Sequence, residues 1–124
     1  MPETAMKEAI EFVRTHPETY LATIDDGMPW IRAMQVARVD DAGSIWYATA
    51  RSSNKVRQVR VNPQVCLAIW ADGRHCRVFG RAEIITDAAV KHQFWDDSWR
   101  AYFRGVDDPE YVLLKVVPQR AELT

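Results

Sequence analysis

The clearest chemistry in this chain lies in one short run, Thr49-Ala50-Arg51-Ser52-Ser53-Asn54-Lys55. Apolar periodicity ends a strand at about Ala50. It resumes as a helix from about Asn54 to Val61, with Ser52 or Ser53 as the N-cap. A helix N-terminus offers unpaired backbone N–H groups and about half a positive charge. Here it is surrounded by three hydroxyls, one carboxamide and two cations. Short donors for geometry and Lys/Arg for charge are what a phosphate needs. Arg32, on a neighbouring strand, can add a bidentate fork. The plainer reading is a capped helix with solvated Arg51 and Lys55, and local pattern alone divides evenly between the two.

Other reactive residues lead nowhere comparable. His75 and Cys76 are adjacent in a strand, so they point to opposite faces and do not share a metal. His16 and His92 have no carboxylate or cysteine at ligand spacing, so no metal site is expected. Cys66 lies in the most apolar strand and reads as packing. The Asp96-Asp97 and Asp107-Asp108 pairs are sequence neighbours that do not share a face. No nucleophile elbow, Walker loop or dinucleotide glycine fingerprint is present. The basic stretch Arg51–Arg60, with aromatic residues on nearby strands, is the pattern of a single-stranded nucleic-acid barrel. Acidic flanks and aromatics that alternate across faces argue against that rival.

The chain has 124 residues, 48% hydrophobic and 27% charged, the balance of one soluble globular domain, 1–124. Net charge is −1, but residues 31–81 carry a local +6 between segments of −4 and −3. A basic middle between acidic ends fits one anionic ligand held locally. Two cysteines, Cys66 and Cys76, are too few and too far apart for a disulfide scaffold. No apolar run is long enough to span a bilayer, and no signal peptide opens the chain. A cytoplasmic protein with reduced thiols is expected.

The elements that must position the basic run follow from period. Met6, Ala9, Ile10 and Val13 predict a helix over residues 3–15, with Pro2 and Glu3 in its first turn and Pro17 as its stop. Tyr20–Ile24 is a strand, closed by the turn Asp25-Asp26-Gly27. Trp30–Val39 is a second strand. Its small apolar face, Ile31/Ala33/Gln35/Ala37/Val39, is expected to meet the core. The turn Asp40–Gly43 leads into a third strand, Ser44–Ala50, with Trp46 and Tyr47 on opposite faces. Val65–Trp70 reads as a strand buried on both sides. Asp72-Gly73 turns into His75–Ile85, where Gly80 marks a bulge or close approach. Asp87 caps a helix whose Trp95, Trp99 and Tyr102/Phe103 share a face up to Gly105. Tyr111–Val117 is the last strand, broken by Pro118, with Arg120–Leu123 as a short edge piece. Six strands joined mostly by hairpins leave edges unless the sheet closes, which predicts a small antiparallel barrel with peripheral helices.

In order and spacing the chain resembles the FMN-binding split-barrel superfamily of the pyridoxamine 5'-phosphate oxidases. More closely, it resembles the short branch often called general stress protein 26-like. The resemblance spans nearly the whole chain. It rests on Tyr20-Leu21-Ala22-Thr23, Pro29-Trp30-Ile31-Arg32-Ala33-Met34, Trp46-Tyr47-Ala48-Thr49, Ser53-Asn54-Lys55, Asn62-Pro63-Gln64-Val65, Gly80-Arg81-Ala82 and Asp107-Asp108-Pro109.

The resemblance implies a mainly β, six-stranded antiparallel split β-barrel with peripheral helices. It implies a homodimer with FMN at the interface. On matching positions it places the phosphate on Arg32, Ser53 and Lys55, beside Asn54, and the flavin ring along Ala33-Met34-Gln35. Thr49 falls near the ribityl chain, and Gln58, one turn beyond Lys55, near the same region. Trp95, Trp99 and Phe103 become candidates to cover the ring, with helix-core packing as their plainer role; Trp99 is taken as the site residue. FMN would carry the redox chemistry, making a flavin-dependent oxidoreductase acting on a small molecule. No general acid or base stands beside the ring, so a non-catalytic flavin sensor or carrier is the alternative. Relatives bind the deazaflavin F420 or haem, and F420 can use the same basic cluster. Pyridoxamine phosphate oxidases carry a C-terminal Arg/His segment that this chain lacks, which argues against that substrate.

Overall fold

The computed structural model describes residues 2–124, with side chains from Thr4 onward. In chain order the elements are α1 (Pro2–Thr15), β1 (Glu18–Asp25), β2 (Met28–Gln35), β3 (Arg38–Val39), β4 (Ile45–Ala50) and α2 (Asn54–Val61). There follow β5 (Gln64–Ala71), β6 (Arg74–Ile85), α3 (Ala88–Phe94), a 3-10 turn (Asp97–Ala101) and β7 (Tyr111–Leu123). All strands join one antiparallel sheet in the order β2-β1-β5-β6-β7-β4-β3. Among the described residues, no helix is long and apolar enough to cross a membrane.

The sheet has seven strands, not the six expected. The difference lies in Trp30–Val39, which changes partner midway. β2 pairs with β1 along its whole length, whereas β3 pairs with β4. Between them the Val36 amide donates to the carbonyl of Pro17 and the Ala37 amide to that of Trp46, both at 2.8 Å. β2 and β3 are also the two edges of the sheet. Since only Val36 and Ala37 separate them, the sheet is rolled until its edges meet at that link. Covering edges by closure is the expected answer to a strand-rich chain.

The faces of β2 are the reverse of the expectation. Arg32 and Met34 are the partly buried side, while Ile31, Ala33 and Gln35 are exposed. The inward arginine is satisfied by polar groups of β1 and α2, so its charge does not force it outward. The small apolar side stays exposed among the described residues.

Two hairpin turns behave as their residues require. Asp26-Gly27 and Asp72-Gly73 all have positive φ (52°, 75°, 54° and 70°), the type I′ geometry that matches strand twist. Gly80 answers a different need. An added Cβ there would lie 2.6 Å from the Val117 carbonyl oxygen, and the β6–β7 register shifts between Phe79 and Gly80. Opposite Gly80 stands Pro118, which lacks an N–H and is tolerated at the irregularity. Pro118 therefore does not end the last strand; β7 runs through it to Leu123.

The core has two parts. α1 lays Ala9, Ile10, Phe12 and Val13 onto the inner face of the sheet, against Leu21, Leu67, Val78 and Leu114. Burying a side chain of this size contributes about 1.5–3 kcal/mol each. On the other side of β4 and β7 lies an aromatic cluster of Trp46, Phe94, Phe103 and Tyr111. β4 and the first half of β7, Tyr111 to Val116, are thus covered on both faces. β5, expected to be so, is not: Val65, Leu67 and Ile69 are buried, but Cys66 and Ala68 are half-open and Trp70 is exposed.

The expected long helix after Asp87 is two pieces. Asp87 does cap α3, accepting from the amides of Ala89 and Val90. The helix stops at Phe94, and Asp96 starts the 3-10 turn by accepting from the Ser98 amide at 2.9 Å. Trp95, Trp99 and Phe103 still converge, because each packs on the Tyr111 ring, with centroids 5.1, 5.7 and 5.5 Å away.

Candidate cofactor site

β4 leads into α2 through Arg51, Ser52 and Ser53, and this loop is pinned from outside. Glu110, just before β7, accepts the Arg51 amide on its carbonyl at 2.8 Å. Its carboxylate accepts the Ser52 hydroxyl at 2.8 Å and the Ser52 amide at 3.1 Å. Ser53 takes the N-cap position in extended geometry (φ −70°, ψ 155°), yet its side chain makes no capping bond. Its hydroxyl oxygen is buried without a partner among the described residues. No acidic residue occupies the first turn of α2. The helix therefore presents N–H groups that neither a cap nor a carboxylate has claimed.

Lys55, the second residue of α2, points back to β4 and donates to the Thr49 hydroxyl at 2.9 Å. Burial, and then the nearby charge of Arg32, hold its ammonium pKa below the ordinary lysine value. Arg32 is itself partly desolvated, which lowers its pKa. It donates to the Thr23 hydroxyl at 2.8 Å and to the Gln58 carboxamide oxygen at 3.0 Å. Among the described residues, neither Arg32 nor Lys55 is paired with a carboxylate. Two partly buried cations that repel each other, next to an orphaned hydroxyl and open helix N–H groups, form a site suited to an anion.

This cluster borders a half-open cavity of about 1040 Å³, roomy for one small-molecule ligand. One wall is the end of β2 and the link beyond it, from Ala33 to Ala37; the floor is Ala48, Thr49 and Ala50, with Lys55 at the side. The 3-10 turn and its exit supply the opposite wall through Trp99, Ala101, Tyr102 and Phe103. Alanine at 33, 37, 48, 50 and 101 is what leaves the space. The result is a small-residue slot with an aromatic side and a cationic end.

The structure brings Ala33, Met34, Gln35, Thr49, Lys55 and Trp99 together on this cavity. Arg32, Ser53, Asn54 and Gln58 do not line it. Arg32 stands behind the wall, near enough to lower the Lys55 pKa. Ser53 adjoins Lys55 in the chain, with its hydroxyl buried. Asn54 is exposed. Gln58 is only 1% exposed and meets Arg32 rather than the cavity. Trp95 does not reach the cavity either; it packs on Trp99 and Tyr111, and its indole N–H donates to Asp97 at 2.9 Å. Packing thus accounts for Trp95 entirely and for Trp99 in part.

Sequence reading missed Glu110, Asp96, Ser98 and Tyr102. Glu110 is distant in sequence from the loop it pins. Asp96 and Ser98 look like solvated surface until the turn they form is seen against the cavity. Tyr102 carries a usable signal, its place on the aromatic face with Trp95 and Trp99; it is 80% exposed at the cavity wall.

Comparison with known proteins bears on the same residues. The family model described as pyridoxamine 5'-phosphate oxidase matches residues 5–124. General stress protein 26 of Bacillus subtilis is 26% identical over 122 residues, which is 94% of this chain and 86% of that protein. A crystal structure of a protein related to general stress protein 26, of the pyridoxinephosphate oxidase family, from Clostridium acetobutylicum superposes with a TM-score of 0.83. It is 26% identical and the match covers 100% of this chain and 90% of that one. General Stress Protein 26 from Bacillus anthracis superposes with a TM-score of 0.80, at 27% identity, over 95% of this chain and 92% of that one.

Proposed function

We propose that this chain, which belongs to the pyridoxamine 5'-phosphate oxidase family and its general stress protein 26-like branch, binds FMN and serves as a flavin-dependent oxidoreductase of a small molecule. The observation that carries the reading is the uncompensated cationic end of the cavity. Lys55, Arg32 and the unpartnered Ser53 hydroxyl ask for a phosphate beside a slot that suits a planar ring. Lys55 and Arg32 supply charge, Ser53 and the first amides of α2 supply short donors, and Thr49 steers the lysine. The backbone from Ala33 to Gln35 edges the ring, with Trp99 and Tyr102 facing it. When bound, FMN supplies hydride and electron transfer at its ring, and the protein contributes position and electrostatics.

The reading includes a homodimer in the cytoplasm. Its support is the outer face of the sheet, where Tyr20 and Ile31 are 59% and 68% exposed. In register beside them lie Ala22, Ala33, Cys66 and Ala68. Ala33 and Gln35 belong both to this face and to the cavity wall. A second copy covering the face therefore also overhangs the slot, as a cofactor at the interface requires.

Turnover is tested by adding NADH or NADPH to the FMN-loaded protein without oxygen. Bleaching of the flavin, reversed by an electron acceptor, supports an oxidoreductase. A flavin that neither donor bleaches makes the protein a carrier or sensor. Deazaflavin F420 in place of FMN is tested by competition at the same site.

A further inference from the structure

Buried polar groups behind the cavity do more than satisfy one another. Thr23 and Gln58 are 0% and 1% exposed. The Thr23 hydroxyl donates to the Gln58 carboxamide oxygen and accepts from Nη1 of Arg32 at 2.8 Å. The same carboxamide oxygen accepts from Nη2 of Arg32 at 3.0 Å. The amide end of Gln58 faces the Asp25 carboxylate at 3.5 Å, and Arg57 holds that carboxylate at 3.1 Å. Because a carboxylate only accepts, Asp25 fixes which end of Gln58 turns toward Arg32.

The consequence is an assignment of the arginine's hydrogens. Nη1 is taken up by Thr23 and by the carbonyls of Leu21 (3.3 Å) and Trp30 (3.2 Å). One hydrogen of Nη2 goes to Gln58. Among the described residues, Nε–H and the second Nη2–H have no acceptor. These two are parallel and form the side edge of the guanidinium, the fork that takes two oxygens of a phosphate.

We infer that Gln58 and Thr23 are positioning residues. They grip the end of the Arg32 guanidinium so that its side edge is preset for the phosphate of the bound cofactor. The inference rests on the FMN reading above and adds how the phosphate contact is made rigid. Holding a long cation in its binding rotamer removes an ordering cost from association. It also gives a core glutamine, costly to bury, a reason to be there.

The test compares FMN with riboflavin, which has the same ring without the phosphate, by titrating flavin fluorescence quenching. In the parent protein FMN binds more tightly than riboflavin. Gln58→Met is expected to weaken FMN about tenfold or more while leaving riboflavin within about twofold. In an Arg32→Ala background, Gln58→Met is expected to change FMN binding no further. Thr23→Val, nearly isosteric, moves the ratio in the same direction and serves if Gln58→Met does not fold. An unchanged FMN-to-riboflavin ratio in the folded variant, or equal weakening of both ligands, overturns the proposal. A parent protein that binds FMN no better than riboflavin overturns the phosphate reading itself, and this inference with it.

Discussion

Lys55 donates to the Thr49 hydroxyl at 2.9 Å, tying the first turn of α2 back to the end of β4. The bond holds a half-buried ammonium beside the cavity, with Arg32 as its charged neighbour. The lysine is oriented by a neutral hydroxyl, which leaves its charge unneutralised. An anion that enters here meets the Lys55 ammonium, with the charge of Arg32 close behind it.

Lys55→Met removes one of them and keeps the side-chain bulk. FMN affinity should fall about 10- to 100-fold, the loss of one charge-assisted contact of about 1.5–3 kcal/mol. Riboflavin affinity should hardly change. The ligand-free protein should melt at the same temperature or higher, since a partly desolvated charge has gone. Equal losses for both flavins would place Lys55 away from the phosphate.

A second copy of the chain is the expected cover for the outer sheet face. Ile31→Glu puts a charge where the proposed partner packs. Light scattering after gel filtration should show a monomer, and flavin affinity should fall with it. A variant that keeps the parent's mass and affinity would move the interface elsewhere.

His16 should give the fold a pH dependence. Its Nε2 meets the Asp72 carboxylate at 2.8 Å and its Nδ1 meets the Phe12 carbonyl at 3.0 Å. Both oxygens accept, so the ring is best served by carrying both protons. The Asp72 bond first, and the Phe12 carbonyl second, raise its pKa above the ordinary 6.5. A raised folded pKa means stability fully present below about pH 6.5 and lost as pH climbs through the folded value. Melting temperature should therefore drop as pH rises above about 6.5, and His16→Gln should flatten that slope. Identical slopes in parent and variant would refute the assignment.

Gly80→Ala tests the β6–β7 irregularity. Its Cβ would sit 2.6 Å from the Val117 oxygen and 2.8 Å from a Val116 methyl. A strand backbone yields poorly, so about 3 kcal/mol of destabilisation is expected in urea unfolding. Gly27→Ala, in an open turn with φ 75° and nothing within 4 Å, should lose only about 1–2 kcal/mol. The reverse ranking would mean that the strands part easily at Gly80.

Much of this was legible because period and turn chemistry are local. The alternation in β1, the stop at Pro17, the positive-φ turns at Asp26-Gly27 and Asp72-Gly73, the Asp87 cap and the close approach at Gly80 can each be read from a few neighbours. What failed depends on partners far along the chain. Val36 and Ala37 look like the middle of a strand, and only Pro17 and Trp46 reveal that the strand changes partner there. The apolar side of β2 signals a need for cover, but nothing local says that Arg32 on the other side finds its partners on β1 and α2. Trp95, Trp99 and Phe103 keep helical spacing across a broken helix because all three answer to Tyr111. In the site, the basic run and Arg32 were legible by residue type. The burial of Gln58 behind Arg32 was not, since an eight-residue helix shows little of which face it buries.

The central claim is that this cavity holds FMN by its phosphate, and a visible absorption spectrum of the purified protein before and after adding FMN addresses it most directly. The account predicts a bound-flavin spectrum with the ring fluorescence quenched, lost when Lys55 and Arg32 are replaced together. A protein that stays colourless and leaves added FMN fully fluorescent would contradict it.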